Sequence, residues 1–383
     1  MKISYGRQNI TSDDIDSVIE VLKSDYLTQG PKIREFEEKF AEYVGAKYAV
    51  AVSNGTAALH ISNLVAGTKK GNKVITTPIT FVATANSVLY CGGEVDFVDI
   101  DAENYLIDLD KLEEKLKSSP KGTYSGVIPV DLAGYPVNAE RLRKIANNYG
   151  LWIIEDACHA PGGYFVDSNG VKQYCGNGIY SDLSIFSFHP VKHIACGEGG
   201  MVTTNNEELY KKLLNFRSHG IQQDKSLWVE NHGLWYYEMQ ELGFNYRLTD
   251  IQSALGISQL TRAREGLIKR NSIALRYDKA FENISGIVIP KRSSNIYHAF
   301  HLYVILSDHR DELIRYLREN GIFAQVHYIP VHLQQFYKNK GWKKGDLPVA
   351  ENYYDKALSL PMYPTLTEEE QQFVIEKIYQ FFN

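Results

Sequence analysis

Two spacings of apolar residues alternate along the first half of the chain. Short apolar runs at 48–52, 73–77, 95–99, 127–130 and 151–154 read as strands buried on both faces. Between them, segments at 56–65, 81–91, 109–116 and 139–149 are long enough for helices. This alternation predicts an α/β domain built on a mostly parallel sheet with helices on both faces. Ahead of it, Ile15, Val18, Ile19 and Leu22 share one face of a helix predicted over 12–23, with Ser12 placed to cap it. A turn at Thr28-Gln29-Gly30-Pro31 leads into a second helix ending near Tyr43.

The alternation stops at 218–247, a stretch rich in His, Gln, Asn, Trp and Tyr. So long an irregular segment inside a compact protein reads as functional or as an interface. A helix starts near Thr249-Asp250 and runs past Arg270. A smaller unit follows, with strands at 299–306 and 323–326 and helices at 310–319 and 368–381. We divide the chain into a large domain, 1–265, and a small C-terminal α/β domain, 266–383.

Composition narrows the function classes. At 383 residues, 44% hydrophobic and 23% charged, the chain has material for large cores. A net charge of −5 and the lack of a basic run with interleaved aromatics argue against nucleic acid. The first residues lack the apolar core of a signal peptide, and no stretch approaches about 18 uninterrupted apolar residues. A cytoplasmic protein with no membrane partner is expected. Cys91, Cys158, Cys175 and Cys196 lack zinc-type spacing, so reduced thiols and no metal site are expected.

The candidate chemistry sits at strand ends. Lys192 lies between the run Ser184-Ile185-Phe186-Ser187-Phe188 and a Gly-rich turn. The flanking Phe186, Phe188, Pro190, Val191 and Ile194 suggest an apolar setting, where an amine is neutral often enough to attack a carbonyl. Ser53-Asn54-Gly55-Thr56-Ala57 falls where a strand turns into a helix, a place that favours anions. Phe81 is placed to stack on a flat ring. Asp156, beside Glu155 after a fully apolar strand, is placed to face a cationic ring nitrogen. His159 and Ser187 lie near the same strand ends. Singly, each has an ordinary reading as surface lysine, cap, core aromatic or local hydrogen-bonder. Together they supply a phosphate anchor, a ring stack, a pyridinium partner and a Schiff-base amine, the set that pyridoxal phosphate (PLP) requires.

The ordered motifs Ser53-Asn54-Gly55-Thr56-Ala57, Thr80-Phe81-Val82-Ala83-Thr84-Ala85-Asn86, Glu155-Asp156-Ala157-Cys158-His159, Ser187-Phe188-His189-Pro190-Val191-Lys192 and Gly243-Phe244-Asn245-Tyr246-Arg247 resemble the DegT/DnrJ/StrS family. Its members are PLP-dependent nucleotide-sugar aminotransferases of the type I, aspartate-aminotransferase-like fold. The resemblance covers nearly the whole chain. It implies that Lys192 carries the cofactor and shuttles the proton, with Asp156 on the ring nitrogen and Phe81 on the ring face. It implies Asn54, Gly55, Thr56, Ala57 and Ser187 around the phosphate, and His159 where many members present a glutamine to the ring hydroxyl. Asn245 would complete the phosphate site of a partner subunit, making a homodimer with shared active sites. Some deoxygenating members have histidine at the lysine position; Lys192 here implies a transaminase.

Within the family, Ser187 to Ile194, Gly197-Glu198-Gly199-Gly200 and Tyr5-Gly6-Arg7-Gln8 resemble the branch acting at C4 of UDP-linked sugars in pseudaminic acid biosynthesis. The implied substrates are L-glutamate and UDP-2-acetamido-2,6-dideoxy-β-L-arabino-hex-4-ulose. The implied product is UDP-4-amino-4,6-dideoxy-N-acetyl-β-L-altrosamine. Arg247 is the candidate for the diphosphate, since a guanidinium grips phosphate oxygens bidentately. Tyr5, Arg7, His327 and Tyr328 are candidates for the sugar pocket. Two alternatives stand beside this: an aminotransferase making 4-amino-4-deoxy-L-arabinose or perosamine, and a non-catalytic PLP-binding regulator.

Overall fold

The computed structural model describes residues 2–383. Seven strands cross the centre in the order Tyr48–Val52, Gly200–Thr204, Leu183–Ser187, Trp152–Asp156, Gly126–Ile128, Lys73–Thr76 and Glu94–Phe97. Gly200–Thr204 runs antiparallel to both neighbours, and every other pair is parallel. The expected mostly parallel α/β sheet is therefore present. The antiparallel strand is an addition to the sequence reading, because its neighbour Tyr48–Val52 is remote in sequence.

The sheet is covered on both faces. Phe36 and Phe40 of helix Pro31–Val44 pack with Phe186, Phe188, Ile194 and Met201 on one side. On the other, Ala58, Leu59 and Ile61 of helix Gly55–Val65 pack with Val50, Ile154, Ile185 and Val202. Successive residues of one strand, Ile185 and Phe186, thus enter different cores, as a period of two requires.

After helix Asp250–Thr261, helix Ala263–Phe281 leads into a second core. There Tyr277 and Phe281 pack with Leu313, Leu317, Leu358, Val374 and Ile378. Strand Tyr303–Leu306 pairs antiparallel with Ala357–Leu360. Ile3 belongs to this second core, and Ile3–Ser4 pairs parallel with Ile322–Phe323. The amino-terminal residues thereby pass from the C-terminal unit to the large sheet.

Two local expectations are corrected. Ser12 is the first residue of helix Ser12–Leu22, not its cap. Thr11 precedes it and donates its N–H to Asp14 at 2.9 Å. The helix expected from Phe81 begins instead at Ala83, leaving Phe81 in the connection before it. Among the described residues, no helix is long and apolar enough to cross a membrane.

Candidate active site

The carboxyl ends of five strands converge on one cavity of about 620 Å³, as expected for ligand sites in open α/β sheets. Strand Tyr48–Val52 delivers Asn54, Gly55 and Thr56; Lys73–Thr76 delivers Thr80 and Phe81; Gly126–Ile128 delivers Val130. Trp152–Asp156 delivers Asp156, Cys158 and His159, and Leu183–Ser187 delivers Ser187 and Lys192. Tyr5, Tyr246, His301, His327 and Tyr328 close the cavity from other parts of the chain.

Asn54 caps helix Gly55–Val65 by accepting the N–H of Ala57 at 2.8 Å. The Ala57 amide, expected at the phosphate, is therefore engaged. The first-turn amides of Gly55 and Thr56 have no intrahelical acceptor and line the cavity. A Cβ on Gly55 would lie 3.0 Å from that of Ser187, so glycine lets the turn and this hydroxyl close one cradle. A Cβ on Gly200 would lie 2.5 Å from the carbonyl oxygen of Asn54, which fixes the turn against the antiparallel strand.

Asp156 is buried at its strand end. Its Oδ2 accepts from Thr84 Oγ1 at 2.8 Å and its Oδ1 from the N–H of Cys158 at 3.2 Å. Thr84 in turn bonds Thr80, in the connection before the helix, at 2.8 Å. Glu155 points to the opposite side of the strand. There it accepts from Ser184 at 2.6 Å and faces the buried Asp131, whose carboxyl is pushed up by burial and by Glu155. Phe81 lines the cavity with 59% of its surface exposed, a large apolar face with nothing stacked on it.

Lys192 sits in a loop pinned at both ends. Phe188 N–H donates to Gly199 at 2.8 Å, and Cys196 N–H to Phe188 at 2.9 Å. The apolar setting expected for the amine is only partly correct. Phe186, Phe188 and Ile194 are buried in the core behind the loop. The half-buried amine instead faces a group of rings, with Nζ 3.5 Å from His301 Nε2. Burial lowers its pKa from the usual lysine value.

His159 is held from two sides. Its Nδ1 accepts the N–H of Ala133 at 3.2 Å, and its Nε2 is 3.1 Å from the Tyr328 hydroxyl. Burial keeps its pKa well below the usual value, so the ring is neutral. A neutral ring that accepts at Nδ1 carries its proton on Nε2 and donates it to Tyr328. The Tyr328 hydroxyl then has its own proton to offer to the cavity. His327 is 2.9 Å from Ser359 through Nδ1, and its ring lies 5.1 Å from that of Tyr5.

The structure therefore brings together Tyr5, Asn54, Gly55, Thr56, Ala57, Phe81, Asp156, His159, Ser187, Lys192, His327 and Tyr328. Three candidates lie elsewhere. Arg247 lines a separate groove with Arg34, Glu37 and Arg217. Asn245 is exposed, and its backbone is bridged to that of Ser218. Arg7 lines a smaller cavity that adjoins Lys192. Sequence reading missed Thr84 and His301 as site residues. The Thr80/Thr84 spacing is a legible signal for the first. His301 arrives from 109 positions beyond Lys192 and has none.

A family model described as the DegT/DnrJ/EryC1/StrS aminotransferase family matches residues 8–379. The UDP-4-amino-4,6-dideoxy-N-acetyl-beta-L-altrosamine transaminase of Campylobacter jejuni is 39% identical, over 98% of this chain and 96% of that one. Among solved structures, Helicobacter pylori PseC, an aminotransferase of pseudaminic acid biosynthesis, superposes with a TM-score of 0.88. It is 32% identical and covers 100% of this chain and 99% of its own. Spr1654 of Streptococcus pneumoniae, a candidate sugar aminotransferase in its PMP form, gives a TM-score of 0.89 at 28% identity, with 98% of each chain covered. PMP is the amino form of PLP.

Proposed function

The chain belongs to the DegT/DnrJ/EryC1/StrS aminotransferase family, with the type I fold and PLP as cofactor, and we propose that it aminates C4 of a UDP-linked 4-keto-6-deoxy-N-acetylhexosamine. The residues present fit the cofactor. Free first-turn amides and the Ser187 hydroxyl form an anion cradle, Phe81 offers an open ring face, and Asp156 offers a buried carboxylate. Bound PLP supplies an electron sink next to the carbon that gains or loses the amino group.

The chain's residues do the rest. Asp156, which accepts from Thr84 and the Cys158 amide, would pair with the pyridine nitrogen. Gly55, Thr56 and Ser187 would hold the phosphate. Lys192, its pKa lowered by burial, would carry the cofactor and offer Nζ as the base at the substrate carbon. Tyr328, oriented by His159, would donate to the ring oxygen. Tyr5 and His327 line the sugar side.

The observation that carries this reading is the convergence of Lys192, Asp156, Phe81 and the Gly55 cradle in one cavity. The assignment to the altrosamine branch is supported by the names of the Campylobacter and Helicobacter relatives; L-glutamate as donor and the β-L-arabino 4-keto sugar as acceptor belong to the proposal. A homodimer is supported by exposed apolar side chains on helix Ser12–Leu22 (Ile15, Ile19, Leu22) and in the irregular segment, where Leu234, Trp235 and Leu242 are uncovered. In such a dimer Asn245 and Arg247 reach the partner's phosphate site and the diphosphate.

The test is a panel of UDP- and dTDP-4-keto sugars with purified protein and glutamate, the products identified by mass and NMR. Preferred amination of the UDP-linked β-L-arabino sugar is expected. Faster amination of the D-xylo-configured sugar removes the protein from the pseudaminic acid branch.

A further inference from the structure

Behind Lys192 lies a second cavity, of about 290 Å³, lined by Arg7, Lys192, His193, Arg262, Lys269 and Arg270 among others. Two of its cations are neutralised within the fold. Arg262 pairs with the buried Asp14, and Lys269 with Glu265 at 2.7 Å. Arg270 is not. It is 2% exposed, and its Nη1 donates to the carbonyl oxygens of Phe300 at 3.0 Å and Met362 at 2.9 Å. Its Nε is buried with no acceptor, and among the described residues none accepts from Nη2. Burial lowers its pKa to about 9 with no carboxylate to offset it, so the group is still charged at neutral pH. A buried cation with unused donors and no counter-ion is costly to the fold unless an anion joins it.

The anion has to suit the place. The cavity lies just below the roughly 300–1,000 Å³ range of sites for drug-sized ligands, which favours a small molecule over a whole nucleotide sugar. It shares Lys192 with the larger cavity, so a molecule held here presents its neighbouring atoms to the amine. A planar guanidinium matches a carboxylate. We propose that this cavity is the amino-donor subsite, in which Arg7 and Arg270 take a carboxylate of a small dicarboxylic amino acid. The larger cavity is thereby left to the sugar. This rests on the reading of the protein as a glutamate-dependent sugar aminotransferase.

The test uses PLP-loaded protein and two probes, glutarate, a dicarboxylate without an amine, and UDP, each titrated calorimetrically. Arg7 is exposed, so Arg7→Gln leaves the fold intact. It should weaken glutarate roughly tenfold or more, the scale of one charge-assisted hydrogen bond, and leave UDP within about twofold. Arg270→Lys, which keeps the charge but loses the planar fork, should act the same way on glutarate. Wild-type glutarate affinity in Arg7→Gln overturns the proposal. So does a loss of UDP binding with glutarate retained, which would make the recognised anion a diphosphate. Failure of wild-type protein to be aminated by glutamate sinks the functional reading instead, and the glutarate titration still reports on the cavity.

Discussion

Two donors face the carboxylate that Asp156 buries at its strand end, the Thr84 hydroxyl and the Cys158 amide. Thr84→Val keeps the shape and removes the first. A hydrogen bond to a charged group is worth about 1.5–3 kcal/mol, so kcat should fall about tenfold or more, with Thr84→Ser restoring most of it. Steady-state kinetics of the two variants check this, and wild-type kcat in Thr84→Val would remove Thr84 from the site. His327 gives a pH prediction. Burial, with the nearby Lys192 charge, lowers its pKa to about 4 from the usual 6.5. Between those values the unfolded chain binds a proton that the folded one refuses. Its contribution is therefore present above pH 6.5 and lost as pH falls through the window, about 2 kcal/mol of it by pH 5. Denaturant unfolding at pH 7 and pH 5 should show wild type losing that much more stability than His327→Gln. Equal losses would contradict the lowered value. Residues such as Asp156 and Ser187 were legible because the strand that places them is written beside them. His301 was not, because its position depends on a contact made across the two cores.

At the scale of elements, the site is a set of strand-to-turn junctions held in register by their neighbours. The turn at Asn54-Gly55 is pressed against Gly200 of the antiparallel strand, whose added Cβ would meet backbone that has nowhere to move. Gly200→Ala should lower the thermal midpoint and PLP occupancy together, read by differential scanning calorimetry and by absorbance of the bound cofactor. A variant that retains full PLP occupancy would show that the turn is held some other way. The parallel strands were legible from their apolar runs. Gly200–Thr204 was not, since Thr203 and Thr204 interrupt the run and its partner lies about 150 positions away. The apolar face of helix Ser12–Leu22 was legible as a face, but not what covers it. Ile15, Ile19 and Leu22 point to solvent, while Val21 and Asp14 turn inward, Asp14 to Arg262.

At the scale of the whole molecule, the exposed apolar helix face and the uncovered 218–247 segment set the expectation for assembly. If Asn245 completes a partner's phosphate site, Lys192→Ala and Asn245→Asp subunits, each inactive alone, should complement when mixed and allowed to exchange. Random pairing makes half the dimers mixed, each with one intact site, so about a quarter of the activity should return. No recovery despite subunit exchange would place each site within one chain. The irregular segment was legible as unusual, but the exposure of its Leu234, Trp235 and Leu242 was not, because it depends on how the folded chain packs around them. The central claim, that the cavity at the strand ends holds PLP on Lys192, has a direct test. Borohydride reduction fixes the cofactor to the lysine that carries it, and peptide mass mapping then locates it. The pyridoxyl group is expected on the peptide containing Lys192 and nowhere else. A pyridoxyl group on another lysine, or none in protein that contains PLP, would contradict it.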